Sequence, residues 1–297
     1  MKIEKLRDKW AVKVETTWKE AMSQDKDFWR DLGYKYDLIF VKGFGYVDNI
    51  RLNKFVSRFG RPYNSEDYDY SLEKGRFETD ENGKEYHFSY YRNSSTIDNL
   101  KDRELPWHAD IPLREGREFP WRCLYNLKPG TGPNNPDGGI TGFLNLTFDV
   151  IEPTEEDIEY YNRIQVVNQS WHGHEAELQT NSYIKTCPMD GKTSLRANYF
   201  VSPQWPARAW IKETLLDGEL VDNLEVLGAI HKKLESNPEF TYYHSWEKFD
   251  FIIYNNWSML HNRSKLNMTE DQDRLFVRMN IDHIANDQWD SFKETID

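Results

Sequence analysis

His108 and Asp110, two residues apart in the segment LPWHAD, are residue types that could hold a metal ion between them. On a β-strand, positions i and i+2 face the same way about 7 Å apart, so both side chains can converge on one ion. A lone His-x-Asp pair arises often by chance, and its ordinary reading is a surface pair. The third ligand must come from elsewhere, and two segments compete for it. In Trp171-His172-Gly173-His174-Glu175 the histidines follow a helical run over 154–163 and read as a polar loop with no apolar strand to hold it rigid. In Leu260-His261 the histidine ends an apolar strand pair.

The second segment has further support downstream. From 274 to 281 the residues alternate: Leu275, Val277, Met279 and Ile281 share one face, while Arg274, Phe276, Arg278 and Asn280 share the other. Inward arginines opposite an apolar face are costly unless they meet an anion. A core carboxylate would satisfy one of them. A dicarboxylate cosubstrate or an acidic substrate would also do so, since a guanidinium grips a carboxylate through two parallel hydrogen bonds. Two neutral imidazoles and a carboxylate on one face of an ion leave adjacent positions open, the arrangement of non-haem iron(II) oxygenases. With the arginines, this points to His108, Asp110 and His261 around Fe(II), and to 2-oxoglutarate and O2 as cosubstrates.

The elements that must position these residues are partly written in the sequence. Residues 37–42 (DLIFVK), 249–254, 258–261 and 274–282 read as strands, and short β-type runs fill 77–148. A Pro-, Gly- and Asn-rich loop over 128–139 is a candidate lid. Leu52, Phe55, Val56 and Phe59 form a helical stripe with Asp48 as N-cap and Gly60 as stop. Leu220, Leu224, Leu227, Ile230 and Leu234 form another, ended at Asn237-Pro238. Over the first 30 or so residues, Trp10, Val12, Val14, Trp18, Met22 and Phe28 suggest one or two amphipathic helices, so 1–35 reads as helical decoration on a core spanning about 36–285.

The 297 residues carry a net charge of −12 and no dense basic run, which argues against nucleic acid and anionic membranes as partners. Forty-four aromatic side chains (11 Trp, 17 Tyr, 16 Phe) can build a large core. There is no apolar run of membrane-spanning length, and the charged start MKIEKLRDKWAVKVE lacks a signal-type apolar segment. A cytoplasmic protein with a small-molecule substrate is expected, with a homo-oligomer left open. Cys123 and Cys187 are too few for a disulfide framework.

From about residue 36 to 282 the sequence resembles the taurine dioxygenase-like (TauD/TfdA, clavaminate synthase-like) Fe(II)/2-oxoglutarate oxygenases. The resemblance rests on DLIFVKGF and KFVSRFGRPY, on WHAD for the family's W-H-[ST]-D motif, and on GGITGFLN for its G-G-x-T segment. Two later stretches carry it too: FIIYNNWSMLHNRS for the distal histidine, and DRLFVRMNID for the cosubstrate arginine. It implies a mainly β fold with a double-stranded β-helix (jelly-roll) core, helices on one side, and a single catalytic domain over 1–297. It implies that the Thr141 hydroxyl contacts 2-oxoglutarate, that Arg274 pairs with its C5 carboxylate, and that Arg278 and Asn93 lie toward the substrate. Asp110 favours hydroxylation over halogenation, because related halogenases replace it with a small residue. The expected activity is hydroxylation of a small anionic or amino-acid-like metabolite, releasing succinate and CO2. Desaturation, epimerisation or cyclisation are alternatives with the same cofactors, and a non-catalytic jelly-roll binding protein is the alternative of another class. Two positions depart from the pattern: Phe249 replaces a glycine before Asp250, and Asn255-Asn256 replaces Asp-Asn.

Overall fold

A computed structural model describes residues 1–60, 76–79, 81–83, 85–92, 104–109, 121–130, 139–172, 175–187, 191–196, 209–265 and 274–281. Among the described residues the strands in chain order are Lys2–Arg7 (β1), Ala11–Glu15 (β2), Leu38–Lys42 (β3), Arg76–Thr79 (β4), Glu85–Arg92 (β5), Leu105–His108 (β6), Trp121–Pro129 (β7), Thr141–Asn145 (β8) and Ile164–His172 (β9). They continue with Glu175–Ser182 (β10), Ile184–Thr186 (β11), Thr193–Leu195 (β12), Ala209–Leu216 (β13), Glu219–Val221 (β14), Thr241–His244 (β15), Phe251–Asn255 (β16), Met259–Arg263 (β17) and Arg274–Ile281 (β18). The helices used below are Trp18–Ser23 (α1), Lys26–Lys35 (α2), Asn49–Val56 (α3), Phe148–Ile151 (α4), Glu155–Asn162 (α5) and Ala229–Glu235 (α6).

Two sheets face each other and form the jelly roll. The larger runs β1-β2-β3-β16-β7-β18-β5-β4, the smaller β15-β8-β17-β6. Strict alternation along the strands assigns each side chain to a layer. On β16, Phe251 and Ile253 enter the outer core while Ile252 and Tyr254 point between the sheets; on β8, Phe143 points between them and Leu144 away. The outer face of the larger sheet is covered by α2 and α3, with Trp29, Leu52, Phe55 and Val56 against Val14, Ile39, Ile253 and Val277. The outer face of the smaller sheet packs Trp107, Leu144 and Leu260 against Tyr161 of α5 and Ile230 and Leu234 of α6. Helices therefore cover both outer faces, not one side, because each sheet exposes a second apolar face that must be buried.

Several local expectations are realised. The Asp48 side chain caps α3 by accepting from Arg51 N at 2.9 Å, and Thr154 with Asp157 forms a capping box on α5, whose range lies inside the expected 154–163 run. Others are corrected. Residues 1–35 are not all helical: Val12 and Val14 belong to β2, which pairs parallel with β3 and extends the larger sheet, and the helices begin only at Trp18. The expected stripe from Leu220 to Leu234 is a strand, a π-turn over 224–228 and then α6; Leu220 and Leu224 are exposed, and only Leu227, Ile230 and Leu234 enter the core. No helix among the described residues is long and apolar enough to cross a membrane.

Candidate active site

Three adjacent strands of the smaller sheet build one wall. Outward Trp107, Leu144 and Leu260 anchor β6, β8 and β17 in the core behind. Alternation then turns His108, Thr141, Phe143 and His261 inward. In the register, His261 opposes Phe143 on one side and His108 on the other, while Arg263 opposes Thr141. The His108 and His261 rings lie 4.2 Å apart, centroid to centroid. Close approach of the strands depends on Gly142, where a Cβ would press on Asn262, Trp107 and Tyr243; its N–H donates to Asn262 Oδ1 at 2.8 Å.

The electrostatics keep both imidazoles neutral. His108 Nδ1 lies 2.7 Å from the Pro106 carbonyl oxygen, which can only accept, so Nδ1 carries the proton and Nε2 the lone pair. Burial, then the neighbouring His261, hold His108 well below the usual histidine range. Burial and the Arg122 guanidinium push His261 down to about 3. Neutral imidazole is the form a metal ion needs.

The larger sheet supplies the opposite wall through Arg274, Phe276 and Arg278 of β18, Leu124 of β7 and Tyr254 of β16. The expected split of β18 holds: Val277, Met279 and Ile281 lie in the outer core and the arginines line the interior. Burial, then Arg263, push Arg274 down to about 9, and its Nε is buried with no hydrogen-bond partner among the described residues. Its guanidinium carbon lies 4.4 Å from the centre of the Phe276 ring. A buried guanidinium so placed is costly until an anion meets it. Thr141 Oγ1 accepts from Trp246 Nε1 at 2.8 Å.

His108, His261, Thr141, Arg274 and Arg278 thus line one cavity of about 110 Å³. Asp110, Asn93 and most of the candidate lid over 128–139 lie outside the described residues. His172 is not in a loop; it ends β9, paired with Glu175 of β10 in a separate sheet, and His174 lies outside the described residues. Among the described residues no three His, Cys, Asp or Glu side chains gather around one point. The two neutral imidazoles, that of His108 with its tautomer set by the Pro106 carbonyl, nevertheless suit iron(II), and Asp110, two residues past His108, is the expected third donor. Sequence reasoning missed Tyr254, Arg263, Asn262 and Trp246. Period-two alternation carried from His261 and from Ile252 would have turned Arg263 and Tyr254 inward. The Tyr254 ring sits 5.3 Å from that of His261, and its hydroxyl is buried with no hydrogen-bond partner among the described residues.

Both departures from the resembled pattern have local causes. Phe249 sits at φ +70°, the left-handed region that favours glycine, and its ring stacks 6.2 Å from Tyr125. Asn255 donates to the buried Asp37 at 3.3 Å, beside Lys192 at 2.9 Å and Asn145 at 2.8 Å from the same carboxylate. An aspartate at 255 would set two carboxylates against each other.

The sequence matches the family described as taurine catabolism dioxygenase TauD, TfdA family over residues 2–280. No curated protein sequence matches significantly. Among solved structures, similar folds include PvcB from Pseudomonas aeruginosa (TM-score 0.63, 16% identity, covering 95% of this chain and 91% of that one). A taurine dioxygenase from Burkholderia xenovorans (0.63, 15%, 97% and 93%) and AAD-2 in complex with Mn(II) and N-oxalylglycine (0.65, 14%, 94% and 96%) are also similar.

Proposed function

Because the chain belongs to the taurine catabolism dioxygenase TauD, TfdA family, we propose that it is a single-domain Fe(II)/2-oxoglutarate-dependent hydroxylase of a small anionic or amino-acid-like metabolite. The observation that carries this reading is the cavity itself, where His108 and His261 face a buried Arg274 across Thr141. His108, His261 and Asp110 would hold the iron. Arg274 would grip the distal carboxylate of 2-oxoglutarate, and the Thr141 hydroxyl would donate to the same cosubstrate. When bound, iron with 2-oxoglutarate and O2 supplies the oxidising power to open an unactivated C–H bond, leaving succinate and CO2. The chain's own part is to keep both imidazoles neutral, fix the cosubstrate and exclude water with the two sheets. Arg278, on the same face of β18 as Arg274, and Asn93 are the residues assigned to the substrate.

Anaerobic addition of Fe(II) and 2-oxoglutarate should give a weak visible charge-transfer band that disappears in His108→Ala and His261→Ala. Absence of the band in the native protein, with no succinate formed under O2, would overturn the reading. Screening metabolites for stimulated succinate release identifies the substrate class.

A further inference from the structure

Trp246 lies in the segment joining β15 to β16, is 2% exposed, and does not line the cavity. Yet it touches the supports of both groups assigned to the cosubstrate. Its indole N–H donates to Thr141 Oγ1 at 2.8 Å. Its ring meets Phe276 edge to face, 4.7 Å between centroids at 81°, and Phe276 is the ring on which the Arg274 guanidinium rests. On another side it meets the His244 ring at 4.6 Å and 87°. His244 is held at Nδ1 by the Tyr242 hydroxyl and at Nε2 by Asp250, both at 3.1 Å, and Asp250 also accepts from Glu247 N at 2.8 Å. The indole is therefore held by a polar unit whose own bonds are made.

A threonine hydroxyl has one proton to give, and indole N–H can only donate. With the indole occupying an acceptor site on Oγ1, the Thr141 proton must go elsewhere, and among the described residues Thr141 Oγ1 donates to no protein group. It lines the cavity, so the cavity is where the proton can be used. We propose that Trp246 is a positioning residue that fixes Thr141 as a donor and, through Phe276, sets the plane of Arg274, so that both meet one dicarboxylate cosubstrate. This rests on the 2-oxoglutarate reading above.

Trp246→Phe keeps an aromatic ring and removes the N–H. Titration of the anaerobic Fe(II) protein with 2-oxoglutarate, followed by the charge-transfer band, and calorimetry of the Mn(II) protein with N-oxalylglycine should both show affinity falling roughly five- to twentyfold, the scale of one lost hydrogen bond. The saturated band and the affinity for Fe(II) should stay unchanged. Thr141→Ala should weaken binding by a similar factor, and adding Trp246→Phe to Thr141→Ala should cost little more. Trp246→His, which retains a ring N–H, should recover part of the loss. Should Trp246→Phe not fold, Trp246→His decides: its displaced N–H should weaken 2-oxoglutarate binding when residue 141 is Thr or Ser and cost little more in Thr141→Ala, since only a hydroxyl at 141 depends on the donor at 246. Unchanged affinity in Trp246→Phe, or equal losses with and without the Thr141 hydroxyl, would overturn the proposal. Native protein that binds neither 2-oxoglutarate nor N-oxalylglycine would instead remove the functional reading on which it rests.

Discussion

Two groups of histidines lie on opposite sides of β8, and they differ in what the protein leaves for others to bind. On the β15 side, His244 is 4% exposed and both its ring nitrogens are taken, by Tyr242 and Asp250. On the β17 and β6 side, His108 commits Nδ1 alone, to a backbone carbonyl, and packs 4.2 Å from His261, where burial, then His261, disfavour its protonation. A histidine bonded at both nitrogens holds structure; one bonded at a single nitrogen in a cavity wall has a lone pair to offer. The same contrast separates Asp37, met by Lys192, Asn145 and Asn255, from Arg274, whose buried Nε has no partner among the described residues. The cavity side carries a buried charge that the described residues leave unmet.

The largest effects should come from exchanging damage between the two sides. His108→Ala should abolish iron binding and reduce turnover roughly a thousandfold or more while changing unfolding free energy by about 1 kcal/mol or less, because no interior ion pair is broken. His244→Ala should do the reverse: it takes one hydrogen-bond partner from the buried Asp250, which among the described residues keeps only the Glu247 N–H, and should cost about 1–3 kcal/mol, yet the iron–2-oxoglutarate band should persist. Denaturant unfolding and anaerobic absorbance on the same variants measure both quantities. If His244→Ala lost iron and His108→Ala lost stability, the division would be wrong.

A smaller effect should follow at Arg274. Arg274→Leu should weaken 2-oxoglutarate about a hundredfold, as expected for a lost charge-assisted pair, while raising or preserving the stability of the ligand-free protein. The pH dependence has a definite sign. Burial pushes Arg274 down to about 9 in the folded chain, well below the ordinary guanidinium range, so from about pH 9 up to that range the unfolded chain holds more protons and this residue makes stability rise with pH. Below about 9 the cost of burying its charge is fully present, and there a dicarboxylate should be bound best. The stabilisation conferred by N-oxalylglycine should shrink as pH rises through 9 in the native protein and show no such step in Arg274→Leu. Thermal shifts across pH 7.5–10 test this.

The smallest effect should fall on β8 itself. A methyl group at Gly142 would press on Trp107, Tyr243 and Asn262, so Gly142→Ala should force β15 and β17 apart and cost about 1–3 kcal/mol. Both histidine groups should be disturbed together. Intact iron binding with unchanged stability would show that β8 does not set the spacing between them.

Where the chain's own periodicity was strong, the sequence was readable. The alternation from Arg274 to Ile281 correctly turned two arginines inward, and Asp48 marked the start of α3. Where two periods fit the same few residues, it was not. Val12 and Val14 suit a strand as well as a helix, and β2 became a strand because β3 lay ready to pair with it. Leu220 and Leu224 match a helical stripe, but no neighbour among the described residues covers them. The segment ending at His172 reads as a loop in the sequence because the polar strands β9 and β10 stabilise each other by pairing rather than by apolar content.

What the sequence determined by itself was the supply of chemistry: a His-x-Asp pair, a distal histidine, a threonine and an arginine face, each with a local periodicity that sets its side of a strand. The tertiary structure decided which of these meet. His108 opposes His261 only because β6 pairs with β17, and the indole of Trp246 reaches Thr141 across 105 residues of chain only because β15 and β8 are adjacent. Local sequence sets which way a side chain points, but strand order and register set what stands opposite it, and those are properties of the whole fold.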